Sequence, residues 1–146
     1  MRDRRERRAR TRIGLIGLVA VVAGTLLPAG TAAAVESKPE WGSVSVENGV
    51  LKRSCRNYPY TYAVTVPEQG LWDLNVSLVG PGGRVVWFGY LTEGANPEQG
   101  TATFRLCRSK TKPGRYRLEA VVSVQDNNEN TAGSLDPVSF RLRKPR

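Results

Sequence analysis

Few residues in this chain could do chemistry, and their types narrow that chemistry before any fold is considered. There is no His among the 146 residues, so imidazole is missing as general base, as metal ligand and as the middle member of a Ser or Cys nucleophile system. Acid pairs exist, Glu119 with Asp73 for example. Glycoside hydrolysis, however, needs two carboxylates held about 5 to 9.5 Å apart in a sugar-sized cleft, and a closed sheet protein of this size offers little room for one. Ser with Lys as base has no motif here. The chain is read as a non-enzyme with no catalytic residue and no cofactor.

The two sulfurs, Cys55 and Cys107, lack the CxxC spacing of a redox pair and the two further ligands of a zinc site. A structural disulfide is the reading that remains. It closes a loop of about 50 residues, worth around 4 kcal/mol in the chain-entropy picture. Asp126, Asn128 and Asn130 have the alternate-residue spacing that opens a calcium loop and are the metal candidates. The EF-hand loop also requires Gly at its sixth position and Glu at its twelfth, where this chain has Thr131 and Pro137. A solvated hairpin loop accounts for the stretch. Asn75-Val76-Ser77 matches a glycosylation sequon, but it falls on a predicted strand.

Two groups of residues could bind rather than react. Val85, Val86, Trp87 and Phe88 are consecutive apolar residues followed by Gly89 and Tyr90. A strand has two faces, so burying Val86, Phe88 and Tyr90 exposes Trp87, or the reverse. Trp87 and Tyr90 are the aromatic candidates for stacking on sugar rings or meeting a partner protein, unless a loop such as residues 92–100 covers them. The second group is basic. Arg115, Arg117, Arg141 and Arg143 fall at outward positions of two predicted strands, with Lys144 and Arg146 beyond them. Like charges facing across strands repel by a few tenths of a kcal/mol or more, so an anionic partner could gain from such a stripe. Lys52, Arg53 and Arg56 flank the first Cys and are expected to stay solvated in a loop.

The chain must deliver these residues to some address. Residues 1–12 carry seven Arg and two acids, and an apolar run from Ile13 to Gly24 follows, extended by Leu26 and Leu27. Basic, then apolar, then small is the order of a secretory signal peptide. Ala32 and Ala34 fit an A-x-A site, so cleavage is expected after Ala34, leaving a domain over residues 35–146. The run falls short of the ~20 apolar residues that span a bilayer, so no membrane span is expected after cleavage. No Arg pair precedes the usual apolar-Lys signature of twin-arginine export, and the general secretory route is preferred. The whole chain has 22 Lys and Arg against 13 Asp and Glu, formally +9, but the exported portion keeps only +4. Nucleic acid is not an expected partner.

The exported portion reads as strands punctuated by turns. Candidate strands are Ser43–Glu47, Tyr60–Val66, Trp72–Val79, Arg84–Leu91, Thr101–Cys107, Arg115–Val124 and Val138–Lys144, rich in β-branched and aromatic residues with period-two alternation. Gly80-Pro81-Gly82-Gly83, Asn96-Pro97, Pro113-Gly114 and the polar run 126–130 separate them. Alternation puts Trp72, Leu74, Val76 and Leu78, then Tyr116, Leu118, Ala120, Val122 and Val124, then Val138, Phe140 and Leu142 on the core side. The expected fold is all-β, a seven-stranded immunoglobulin-like antiparallel sandwich preceded by a signal peptide.

The run PGRYRLEAVVSV, closed by VSFRLRK after a polar loop, resembles the last hairpin of bacterial extracellular immunoglobulin-like and fibronectin type III-like modules. The likeness in strand order covers roughly residues 41–144. It implies a tyrosine corner at Tyr116, ring in the core and hydroxyl on the backbone. It also implies a binding, adhesive or spacer role without a particular ligand. The antibody-type disulfide is absent, because Cys107 precedes Tyr116 instead of following it by two positions. In this register Cys55 stands just before the second strand and Cys107 ends the fifth, antiparallel neighbours whose ends meet at one pole. The expected protein is a secreted, extracellular, monomeric binding or accessory module for a cell-wall or other anionic polymer, or for a protein. The alternative is a secreted inhibitor of an extracellular enzyme such as a protease, using a rigid Asn57–Pro59 loop beside the disulfide.

Overall fold

A computed structural model describes residues 35–66, 70–126 and 129–146. The predicted signal peptide and its cleavage site at Ala34 lie outside the described residues, as does the metal candidate Asn128. In chain order the strands are β1 (Glu36–Ser37), β2 (Gly42–Ser45), β3 (Gly49–Val50), β4 (Arg56–Val64), β5 (Leu71–Val79), β6 (Val85–Thr92), β7 (Gln99–Leu106), β8 (Gly114–Asp126), β9 (Glu129–Ser134) and β10 (Val138–Arg143). A single 3₁₀ turn, Pro39–Trp41, precedes β2, and there is no α-helix among the described residues. The fold is all-β and built from two sheets.

Strand β5 shows why the chain folds this way. Its side chains alternate, with Trp72, Leu74, Val76 and Leu78 buried and Asp73, Asn75 and Ser77 on the other face, because successive residues of a strand point to opposite sides. Strand β8 repeats the pattern and pairs antiparallel with β5, setting Trp72 opposite Val124, Leu74 opposite Val122 and Leu78 opposite Leu118. Strand β6 lies on the far side of β5, reached through Gly80–Arg84, where the Gly83 N–H donates to the Gly80 carbonyl at 2.9 Å. Gly83 takes φ 73°, a left-handed conformation that side-chain-bearing residues avoid.

The remaining edge of β8 is shared. Its first half pairs with β10 and its second half with β9. The two meet at Leu135–Pro137, where the Leu135 N–H donates to the Ala120 carbonyl at 2.9 Å. Pro137 has no N–H to give, so the ladder breaks there. Short parallel pairings then add β1 beside β9 and β3 beside β10.

The smaller sheet has the order β2-β4-β7, antiparallel throughout. Its inner residues Val44, Tyr60, Tyr62, Val64, Phe104 and Leu106 face those of the larger sheet. Aromatic rings join the layers. Phe104 lies 5.8 Å from Phe140 and 6.0 Å from Trp87, and Tyr116 stacks on Phe140 at 5.6 Å. The core contains no buried charged residue among those described.

The seven predicted strands are all present with shifted ends, and β1, β3 and β9 are additional. Strand β4 starts earlier than expected, at Arg56, and runs through Pro59. The run 126–130, expected as a loop, supplies the end of β8 and the start of β9.

Candidate functional site

The cysteines stand where the β4–β7 register carries them. Arg56 pairs with Leu106 as the final rung, and Cys55 and Cys107 lie one step beyond it, their Cα atoms 3.9 Å apart and their sulfurs joined. The bond ties neighbouring strand ends at one pole of the sandwich. Asn57, Tyr58 and Pro59 belong to β4 itself, so the free loop that an inhibitor would present is here a strand.

Tyr116 enters β8 with its ring fully buried and its hydroxyl donating to the Lys112 carbonyl at 2.5 Å. Burial pushes its phenol above the ordinary range, against a lowering hydrogen bond from Thr111. Between the two sheets, burial and then the neighbouring Tyr62 push the Tyr60 phenol up to about 12.

The outward face of the larger sheet carries the binding candidates. Arg115 on β8 stands directly opposite Arg141 on β10, and the next outward rung pairs Arg117 with Ser139. Arg117 also forms an ion pair with Glu119, two residues along the same face. No carboxylate of a described residue comes within salt-bridge distance of Arg115 or Arg141. Instead the Arg141 N–H donates to Asn48 Oδ1 at 2.6 Å, fixing the crossing segment between β2 and β3 against this edge. Asn48, Arg115, Ser139, Phe140 and Arg141 line a shallow depression of about 500 Å³. Arg143 is exposed further along β10, with Lys144 and Arg146 after it. Asn48 is absent from the sequence-based candidates, because its place beside Arg141 depends on a crossing between sheets that no local pattern announces.

Across the same face the character changes. Ser77 and Asn75, the short outward residues of β5, stand between Phe88 and Tyr90 on β6 and Glu119 and Val121 on β8, while the arginine rungs lie further along β8, Arg117 opposite Val79. Phe88 is 58 % exposed and Tyr90 54 %, and no described residue of the 92–100 segment covers them. A hydrogen bond to Asp73 raises the Tyr90 phenol. Trp87 turns the other way and is half-buried against the core, edge-on to Tyr60 at 6.1 Å. The two aromatic candidates therefore lie on opposite faces, and Phe88 is the outward partner of Tyr90. Gly89 is the signal that could have shown this. A Cβ there would meet the Trp87 ring at 2.0 Å, so the indole lies along its own strand over the one residue without a side chain.

The weak metal candidates do not converge. Asp126 pairs with Glu129 and Asn130 with Gln125, so pleating turns Asp126 and Asn130 to opposite faces of the hairpin. Among the described residues no cluster of three His, Cys, Asp or Glu could hold a metal ion. Lys52, Arg53 and Arg56 are exposed beside the disulfide.

A second concavity, about 670 Å³, opens where the chain leaves β2 to cross toward β3. Strand β2 pairs with β4 only as far as Ser45 opposite Thr61, and Tyr58, Tyr60, Phe104 and Phe140 floor the gap that remains. The Tyr58 hydroxyl closes one end, accepting from the Lys52 N–H at 2.8 Å and donating to the Val50 carbonyl at 3.3 Å.

No helix among the described residues is long and apolar enough to cross a membrane. No family model matches the chain, and no curated protein matches it.

Proposed function

We propose that this protein is a secreted, non-enzymatic binding module of the bacterial immunoglobulin-like or fibronectin type III-like kind, which holds an anionic extracellular polymer on the outer face of its larger sheet. The carrying observation is the Arg115–Arg141 rung, two arginines directly opposite on adjacent strands that both line a depression and have no carboxylate partner among the described residues. Such a pair costs repulsion in the free protein, and a bound phosphate or carboxylate removes that cost while accepting bidentate hydrogen bonds. The disulfide supports an address outside the cytoplasm, where thiols are oxidised. The strand order, three strands facing a sheet in which β5 and β8 are central, supports the kinship in fold.

The experiment is co-sedimentation of the purified protein with an insoluble anionic cell-wall polymer. Arg115→Ala with Arg141→Ala is expected to weaken retention about 10- to 100-fold, on the scale of two charge-assisted contacts. Raising salt from about 0.1 M to about 0.5 M should release the wild-type protein, because exposed charges are screened. Retention that ignores both changes would remove the arginine rung from the interaction.

A further inference from the structure

Sheet edges are templates for pairing with another chain, and natural proteins blunt them with proline, charge or brevity. This molecule blunts most of its own. Beside the second concavity, the first half of β4 lacks a neighbour on its β2 side, but alternation from the Thr65 N–H, which donates to the Trp41 carbonyl at 2.8 Å, turns the odd-numbered backbone groups toward that gap. Pro59 is one of them and has no N–H to offer. The free edge of β7 presents Thr101, Thr103 and the charged Arg105 on its outer face. Strands β1, β2 and β3 are short.

Strand β6 is different. Among the described residues it pairs with β5 alone, and between Val85 and Thr92 it contains neither a charge nor a proline. The groups along its open side can be assigned. The Glu93 N–H donates to the Trp72 carbonyl at 2.9 Å in the β5–β6 register. Alternation then points the backbone of Trp87, Gly89 and Leu91 at β5 and that of Phe88 and Tyr90 outward. Thr92 follows the same rule, its carbonyl accepting from the Asn96 N–H at 2.9 Å beyond the sheet. A register shift opposite Leu78 and Val79 confines the regular edge to the residues from Trp87 onward.

We propose that β6 is a pairing edge for a second copy of this chain, the two β6 strands meeting antiparallel about a two-fold axis at Gly89 to continue the larger sheet from one molecule into the next. In that register Phe88 of each copy exchanges both backbone hydrogen bonds with Tyr90 of the other, and their exposed rings become a cross-strand aromatic pair on the outer face. Gly89 meets its own counterpart at the non-hydrogen-bonded position, where the strands approach most closely and a side chain would crowd. The two ends of the strand also differ in charge, with Arg84 preceding it and Glu93, whose carboxylate accepts from the Trp72 N–H at 3.1 Å, following it, so antiparallel self-pairing turns the basic end of each copy toward the acidic end of the other. A strand edge is a small interface, and such pairs are weak. The monomer expected from the sequence is then the dilute form. This inference does not depend on the polymer-binding reading.

The test is sedimentation equilibrium of the purified protein from about 10 μM to about 1 mM, a range that brackets weak association, paired with amide exchange by NMR. The expected result is a mass rising toward the dimer. Exchange at the Phe88 and Tyr90 amides should slow with concentration, while the Gly89 and Leu91 amides, already bonded to β5, stay unchanged. Phe88→Lys, outward and exposed, should keep the fold by circular dichroism and weaken pairing at least tenfold. A protein monomeric at the highest concentration, a dimer indifferent to Phe88→Lys, or one that leaves the Phe88 and Tyr90 amides unprotected would each overturn the proposal.

Discussion

Gly89 has a role out of proportion to its size. The indole of Trp87 occupies the space above it and from there touches Tyr60 and Phe104 of the opposite sheet. Gly89→Ala must displace the ring, and its neighbours leave it nowhere to go within the core. Overpacking of this kind costs about 1 to 3 kcal/mol. The expected outcome is a lower melting temperature together with an altered tryptophan emission spectrum, whereas an unchanged spectrum would mean that the ring does not lie over Gly89. The orientation of this strand was not legible in the sequence, because Val85-Val86-Trp87-Phe88 offers apolar residues to both faces and alternation cannot choose between them. The choice is made by tertiary space, since only the odd-numbered side has Phe104 and Tyr60 to receive an indole. The arginine rung was legible as residues on outward positions of adjacent strands. Asn48, held to Arg141 from more than ninety positions away in the chain, was not.

At the scale of elements, β4 and β7 are joined along their full length and then tied by Cys55–Cys107 one step past the final rung. The bond spans a sequence separation of 52, and cross-linking a loop of that size is worth around 4 kcal/mol when the native geometry is unstrained. Replacing both cysteines by Ala should lower the unfolding free energy by an amount of that order, read as a lower denaturant midpoint. Reduction of the wild type should give the same midpoint as the double variant, and if neither treatment moves it, the disulfide adds nothing to stability. Strands β5, β8 and β10 were readable from period-two alternation because each has one wet face and one dry face. Strands β1 and β3 were not, since two-residue parallel pairings arise only once β9 and β10 are already in place. The polar composition of 126–130 suggested a loop, yet Gln125, Asp126, Glu129 and Asn130 pair as strand. Propensity yielded there to the ladder that β8 had already begun.

The whole molecule has an alkaline limit set in its interior. Tyr60 ionises at about 12 in the folded protein and near 10 in an unfolded chain. The folded state therefore disfavours tyrosinate, so the contribution to stability is fully present below pH 10 and is lost as pH climbs through about 12. Tyr116 is raised in the same direction. Unfolding free energy should be level on the approach to pH 10 and fall above it, and Tyr60→Phe, whose lost hydroxyl bonds to none of the described residues, should make the fall shallower. A decline of equal steepness in the variant would assign the alkaline limit to other groups. The short pairings at the two ends of the described body have a mechanical corollary. Strand β3, near the beginning, runs parallel to β10, near the end, so a pull that separates residue 35 from residue 146 drags these neighbours past each other lengthwise. Their bonds share the tension and give way together, where an antiparallel hairpin pulled from its open end would unzip rung by rung. Under such a load, the weakest-looking pairing in the fold is oriented to resist.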